Sequence, residues 1–195
     1  MTTHASLLPG HSGTADLTLA PGIGFRPGRV HEVCGPARRV LAALLAGRTG
    51  GQVLWARRRH SRETPFPAGL APFCNPSRIL HVLTDNETDL LWSMEEGLRS
   101  GAVGLVLAEL STPPGLTPVR RLQLAAEAAP NLPIGLLLTP EDGGAPGVES
   151  RWHLAPAVGG GWLARRLRAR LAPEASFHLT KGAEGVSAAP LALPD

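Results

Sequence analysis

The sequence holds no tyrosine, one lysine (Lys181), two cysteines and 4% aromatic residues in 195. Cys34 and Cys74 form neither a metal-ligand spacing nor a disulfide framework. The seven histidines are scattered, with no H-x-x-x-H or H-x-E pair, so the common helix-borne metal sites are excluded. No apolar run reaches the ~18–20 residues that cross a bilayer, and the opening residues lack a basic-then-apolar leader. A reducing, cytoplasmic setting without membrane contact is expected. The net charge of +3 is too small to argue for nucleic acid by itself. Cationic character is instead local and made of arginine: Arg57, Arg58, Arg59 and Arg62, then Arg120 and Arg121, then Arg165, Arg166, Arg168 and Arg170.

What is present is an alternation of short apolar runs with helical patterns. Residues 1–27 are rich in Gly, Pro, Ser and Thr and read as an N-terminal arm, partly ordered at best. Residues 28–182 read as one core domain. "RVHEVC" is a strand and "ARRVLAALLAG" a helix ending at Gly47. "QVLWA" and "RILHVLT" are further strands. "NETDLLWSMEEGLRSG" has the strongest helical pattern, with Asn86 or Thr88 as cap. "AVGLVLAEL" and "PIGLLLT" are apolar on both faces, as central parallel strands are. Between them "TPVRRLQLAAEAA" is a helix with Thr117 as cap. "EDGGAPGVE" reads as a flexible loop. "SRWHLAPA" is a strand, and "WLARRLRARL" suits helix or strand. The turn "APEA" followed by "SFHLT" favours an antiparallel hairpin. Residues 183–195 read as a flexible tail. The expected fold class is α/β: a mostly parallel sheet flanked by helices, with a C-terminal antiparallel extension.

"RVHEVCGPARRVLAALLAG" has the strand–turn–helix order of a phosphate-binding loop, but no G-K-[ST]. The order of elements resembles the RecA-like P-loop NTPase core. "FRPGRVHEVCGP" is similar to that family's strand and turn into the phosphate loop, "RSGAVGLVLAEL" to the strand carrying its magnesium aspartate, and "RLRARLAPEASFHLTKGAEG" to its late basic hairpin. "HEVCGPARR", "LLWSMEEGLRSGAVG" and "LTPVRRLQLAAE" resemble ImuA-type proteins, RecA relatives in a group that includes SulA-like division inhibitors.

The resemblance makes the nucleotide site testable residue by residue. Gly35-Pro36 runs through Ala37, Arg38 and Arg39 straight into the helix, several residues short of a phosphate cradle. No lysine stands nearby, and Val40 falls where a hydroxyl is wanted. Glu109 falls at the magnesium-aspartate position, and Arg57 at that of the water-activating glutamate, where the reversed charge removes a general base. The strand end that senses the γ-phosphate falls near Thr139-Pro140. A degenerate site of Gly35, Pro36, Arg38, Arg39, Arg57 and Glu109 is expected, with no cofactor, no metal and no ATPase activity. Arg57, Arg58, Arg59 and Arg62 are the candidate anion or partner surface. Arg166, Arg168 and Arg170 share one face if their segment is a strand.

The resemblance implies a non-catalytic accessory role in SOS-induced mutagenesis and translesion synthesis. It implies RecA, an ImuB-like Y-family polymerase homologue and an error-prone replicative polymerase as partners, with DNA bound weakly or indirectly. The alternatives are a SulA-like cell-division inhibitor and a divergent ATP-binding RecA-family protein.

Overall fold

The computed structural model describes residues 16–61, 63–183 and 185–192. In chain order the strands and helices are β1 (Leu17–Ala20), β2 (Ile23–Phe25), β3 (Val30–Cys34), α1 (Arg38–Arg48), β4 (Gln52–Arg58), α2 (Pro67–Leu70), β5 (Ile79–Thr84) and α3 (Glu87–Arg99). There follow β6 (Val103–Glu109), α4 (Leu116–Ala128), β7 (Ile134–Leu138), β8 (Ser150–Pro156), β9 (Trp162–Ala169), β10 (Ala175–Gly182) and β11 (Gly185–Leu191). β3 to β11 form one sheet in the order β11-β10-β9-β8-β3-β7-β6-β4-β5. From β8 through β5 every neighbouring pair is parallel. From β8 through β11 every pair is antiparallel. The protein is therefore α/β, with a mostly parallel sheet, flanking helices and an antiparallel extension.

Each sheet face carries its own core. On one face α1 and the β1–β2 hairpin bury Leu41, Leu45, Trp55, Leu107 and Trp152. On the other, α3 and α4 bury Leu90, Met94, Leu98, Val106 and Leu122. β6 and β7 are buried on both faces, which is why their sequences are apolar without alternation. α3 begins with the Asn86 side chain accepting from the Asp89 amide at 2.8 Å, satisfying one of the first free N–H groups. Among the described residues no helix is long and apolar enough to cross a membrane.

Several expectations are corrected. Residues 17–25, read as arm, are a hairpin whose Ile23 and Phe25 are fully buried in the α1-side core. Only Leu19, Ala20, Ile23 and Phe25 anchor it, too few to stand out among Gly and Pro. Residues 185–191, read as tail, pair with β10; this strand is made mostly of small residues and little of it is buried. α1 continues past Gly47 to Arg48. Gly47 serves packing instead: a Cβ there would lie within van der Waals overlap of the Phe73 carbonyl oxygen. α4 starts at Leu116 after Gly115, two residues earlier than a Thr117 cap allows. "WLARRLRARL" is strand β9, with a bulge against β8. Arg166 stands opposite Trp152 and Arg168 opposite Arg151. Since successive β8 residues face opposite sides, the bulge splits these arginines between the two faces.

Candidate functional site

The C-terminal ends of the parallel strands are where open α/β sheets hold ligands, and the sequence places its candidate residues there. β3 stops at Cys34, and Gly35 turns the chain at φ +87°. A Cβ at Gly35 would lie 2.6 Å from the Leu154 carbonyl oxygen and 2.7 Å from His153 Nε2. The turn is thus pressed against β8, and only glycine fits it. Three of the amides at the start of α1 are engaged within the protein. Ala37 N donates to Leu154 O at 2.9 Å, Arg38 N to Gly35 O at 3.3 Å and Val40 N to Ala37 O at 2.9 Å. Even the Arg38 guanidinium turns back, donating from Nη1 to Gly35 O at 3.1 Å.

Glu109 ends β6 on the α1 side of the sheet. Its carboxylate is gripped by Arg39 from the first turn of α1, with Nε to Oε1 at 3.0 Å and Nη2 to Oε2 at 2.6 Å. Trp55 Nε1 of β4 donates to the same Oε1 at 2.8 Å. The other arm of Arg39 meets Glu63. Burial works against the Arg39 charge, but its bonds to Glu109 and the Glu63 carboxylate outweigh this and raise its pKa above the usual arginine value. A two-point arginine–carboxylate fork is the strongest common side-chain pair. With the indole it takes three of the roughly four lone-pair sites through which Glu109 would ligate a metal. Beside the fork lies an open cavity of about 500 Å³, lined by Arg38, Arg39, Arg58, His60, Glu63 and Glu109 among others.

The arginine run does not form one surface. Arg57 is buried on the Trp55 side of β4, and its Nε has no hydrogen-bond partner among the described residues. It is an interior charge, contrary to its assignment as part of an anion surface; strand alternation puts it inward while Arg58 points out. Arg58 donates to Asp85 O at 3.1 Å and Arg59 to Asp85 Oδ1 at 3.0 Å, so both are partly engaged. Arg62 lies outside the described residues.

On the opposite face is a feature that the sequence did not single out. Glu32, in the middle of β3, is fully buried. It accepts from Thr139 Oγ1 at 2.7 Å, from Gly144 N at 2.9 Å and from Ala145 N at 3.1 Å. It also pairs with Arg151 of β8, whose Nη2 donates to Ala145 O at 2.9 Å. The segment after β7, expected to be flexible, is tied to the sheet by this side chain and by Arg151. A Cβ at Gly143 would lie 2.7 Å from Glu32 Oε1, so small residues let the loop close over the carboxylate. The run Gly-Gly-Ala with an arginine six residues on was the available signal, but such runs are common in loops.

Over 161 residues the chain is 33% identical to "Protein ImuA" of Caulobacter vibrioides, in strains NA1000 / CB15N and ATCC 19089 / CIP 103742 / CB 15. The chain is similar to these ImuA proteins over most of its length. The match covers 72% of this chain and 65% of each relative, so the chain spans somewhat under two thirds of the relatives' length. No family model matches it.

Within this ImuA-like chain the two thiols are quiet. Burial, with the Glu32 carboxylate second, pushes the Cys34 thiol up to about 12. Both cysteines are free and buried. A thiol held protonated in this way is no nucleophile. The groups brought together at the strand ends are Gly35, Arg38, Arg39, Trp55, Glu63 and Glu109; Arg57 faces the interior beside them, and Arg59 sits apart on Asp85.

Proposed function

We propose that this ImuA-like chain is a non-catalytic, RecA-core accessory protein of damage-induced mutagenesis, acting through protein contacts during translesion synthesis. The observation that carries the non-catalytic part is the Arg39–Glu109 fork. Catalysis of phosphoryl transfer needs an amide cradle, a cation for the phosphates and a carboxylate free to hold magnesium. Here the amides bond to backbone carbonyls. The carboxylate bonds to an arginine and an indole. The sheet order, with β3 and its Gly-Pro turn in mid-sheet, supports the RecA-core reading.

The mechanism proposed is mimicry. A RecA-like body docks where a protomer would, without coupling to ATP. RecA, an ImuB-type polymerase homologue and an error-prone replicative polymerase are the proposed partners. The segment between β4 and α2 is the proposed contact, because Phe66 is 71% exposed there and the segment follows the outward-facing Arg58. Two measurements test the two halves. Magnesium-ATP hydrolysis above background that vanishes in Glu109→Ala would overturn the non-catalytic half. Retention of RecA or the ImuB-type protein on the immobilised chain, reduced by Phe66→Ala, is expected; retention of neither removes the adaptor half.

A further inference from the structure

A second cavity lies at the other end of β3 and β8, away from the Gly35 turn. It has a volume of about 300 Å³ and opens between the β1–β2 hairpin and the end of β9. Its floor is a neutral pair. His31 Nε2 lies 3.1 Å from the Arg26 carbonyl oxygen, which can only accept, so this nitrogen carries the proton. His31 Nδ1 therefore accepts from Ser150 Oγ at 2.7 Å. Burial lowers the His31 pKa to about 4, which keeps the pair uncharged at neutral pH.

Around that floor the donors outnumber the acceptors. Arg166 lies over the Trp152 ring at 5.4 Å. It donates from Nε to Pro173 O and from Nη1 to Gly22 O, which leaves Nη2 over. Arg26 has a carboxylate, Glu149, only at 3.9 Å. Arg170 makes no ion pair among the described residues. Trp152, 1% exposed, lines the cavity, and its indole N–H has no acceptor among the described residues. Three guanidinium groups face two carboxylates, Asp16 and Glu149, so the lining is net positive. A buried donor without an acceptor, here the Trp152 indole, is costly, and the guanidinium groups around it are accessible, so an anion with several oxygens is the group that meets most of these donors at once.

We propose that this cavity binds the anionic group, phosphate or carboxylate, of a small ligand. Arg166 and Arg170 supply the charge, Arg26 closes the mouth and Asp16 tempers the affinity. The volume is at the lower end for small-molecule sites, which suits one compact ligand.

Calorimetric titration of the full chain with phenyl phosphate and, separately, with glutarate tests this. Saturable binding of either one is expected and tells which anion the site prefers. Arg170→Gln, at an exposed side chain, should weaken it about fivefold, the scale of a solvent-exposed ion pair. Asp16→Asn should tighten it. Arg165→Gln removes the same charge from the neighbouring face of β9, where Arg165 stands opposite His153, and should change nothing. No saturable binding of either anion up to about 10 mM, a free energy too weak for a built site, overturns the proposal. So does an equal loss in Arg165→Gln and Arg170→Gln, which would be general charge attraction.

Discussion

Glu32 and Glu109 are the same chemical solution used twice, on opposite faces of one sheet. Each is a buried carboxylate on a parallel strand, and each is gripped by an arginine from a neighbouring element. Their surroundings differ. Glu32 is fully enclosed, and most of its bonds go to backbone amides and a hydroxyl of the segment after β7. Glu109 is nearly enclosed, at 9% exposure, but its partner Arg39 is 24% exposed and reaches Glu63 at the surface. The first carboxylate folds a loop. The second fills a site. An interior ion pair at a ligand edge takes up the groups that a ligand would use, and the same pair beneath a loop orders the loop.

The largest effect that separates the two is expected from Glu32→Ala. It leaves Arg151 without its carboxylate and two loop amides and the Thr139 hydroxyl without acceptors. Removing one partner of a buried pair costs about 3–5 kcal/mol. Urea denaturation should show that loss, and limited proteolysis should cut within residues 140–149. A loss below about 1 kcal/mol, the scale of a single hydrogen bond, would mean that the loop holds itself.

Next in size is an acid effect from His31, the residue beside Glu32 on the other face. Burial holds its folded pKa at about 4, below the ordinary histidine value of 6.5. The unfolded chain therefore binds the proton first. The stability from a neutral His31 is complete above pH 6.5 and is lost as pH falls towards about 4. The full span is about 3 kcal/mol, at about 1.4 kcal/mol for each unit. Denaturation curves from pH 7 to pH 4 should show this slope, reduced in His31→Gln. An imidazole resonance titrating near pH 6.5 would contradict it.

Glu109→Ala should cost less, about 1–3 kcal/mol, because water can reach the released Arg39 and only Trp55 is left buried without an acceptor. Glu109→Gln keeps an oxygen for Trp55 and should fall at the low end. Thermal melts of the two variants check the order. If Glu109→Ala proves as damaging as Glu32→Ala, the contrast between a filled site and a folded loop disappears.

How far the sequence foretold these roles depends on periodicity. The parallel strands, α1, α3 and α4 were legible because each repeats an apolar pattern over several residues. Glu109 and Gly35 were legible by position along such elements. Glu32 was not: "VHEVC" carries two adjacent polar residues, which give no sign that both faces of β3 are buried. Arg57 misled for the same reason, since a run of arginines hides the alternation that turns one of them inward. The β9 bulge was illegible because one extra residue shifts facing without changing composition. Long-range pairing decided the hairpin of residues 17–25 and strand β11, where local pattern is weak.

The smallest expected effect is the one that best tests the reading of the Glu109 side. Arg39→Lys combined with Val40→Ser supplies an ammonium and a hydroxyl near the positions that a phosphate-binding helix uses. If missing side chains alone had disabled the site, this variant should gain affinity for magnesium-ATP. The geometry argues for no gain. Ala37, Arg38 and Val40 amides would still donate to Leu154, Gly35 and Ala37 carbonyls. Gly35 would still be pressed against Leu154 and His153, with no room for a wider loop. The charge of a lysine adds attraction, but it does not supply a ring of amides shaped to phosphate oxygens. Equilibrium titration with a fluorescent ATP analogue should therefore give the same weak signal in both proteins. A clear rise in affinity would place the defect in two side chains and leave the backbone competent.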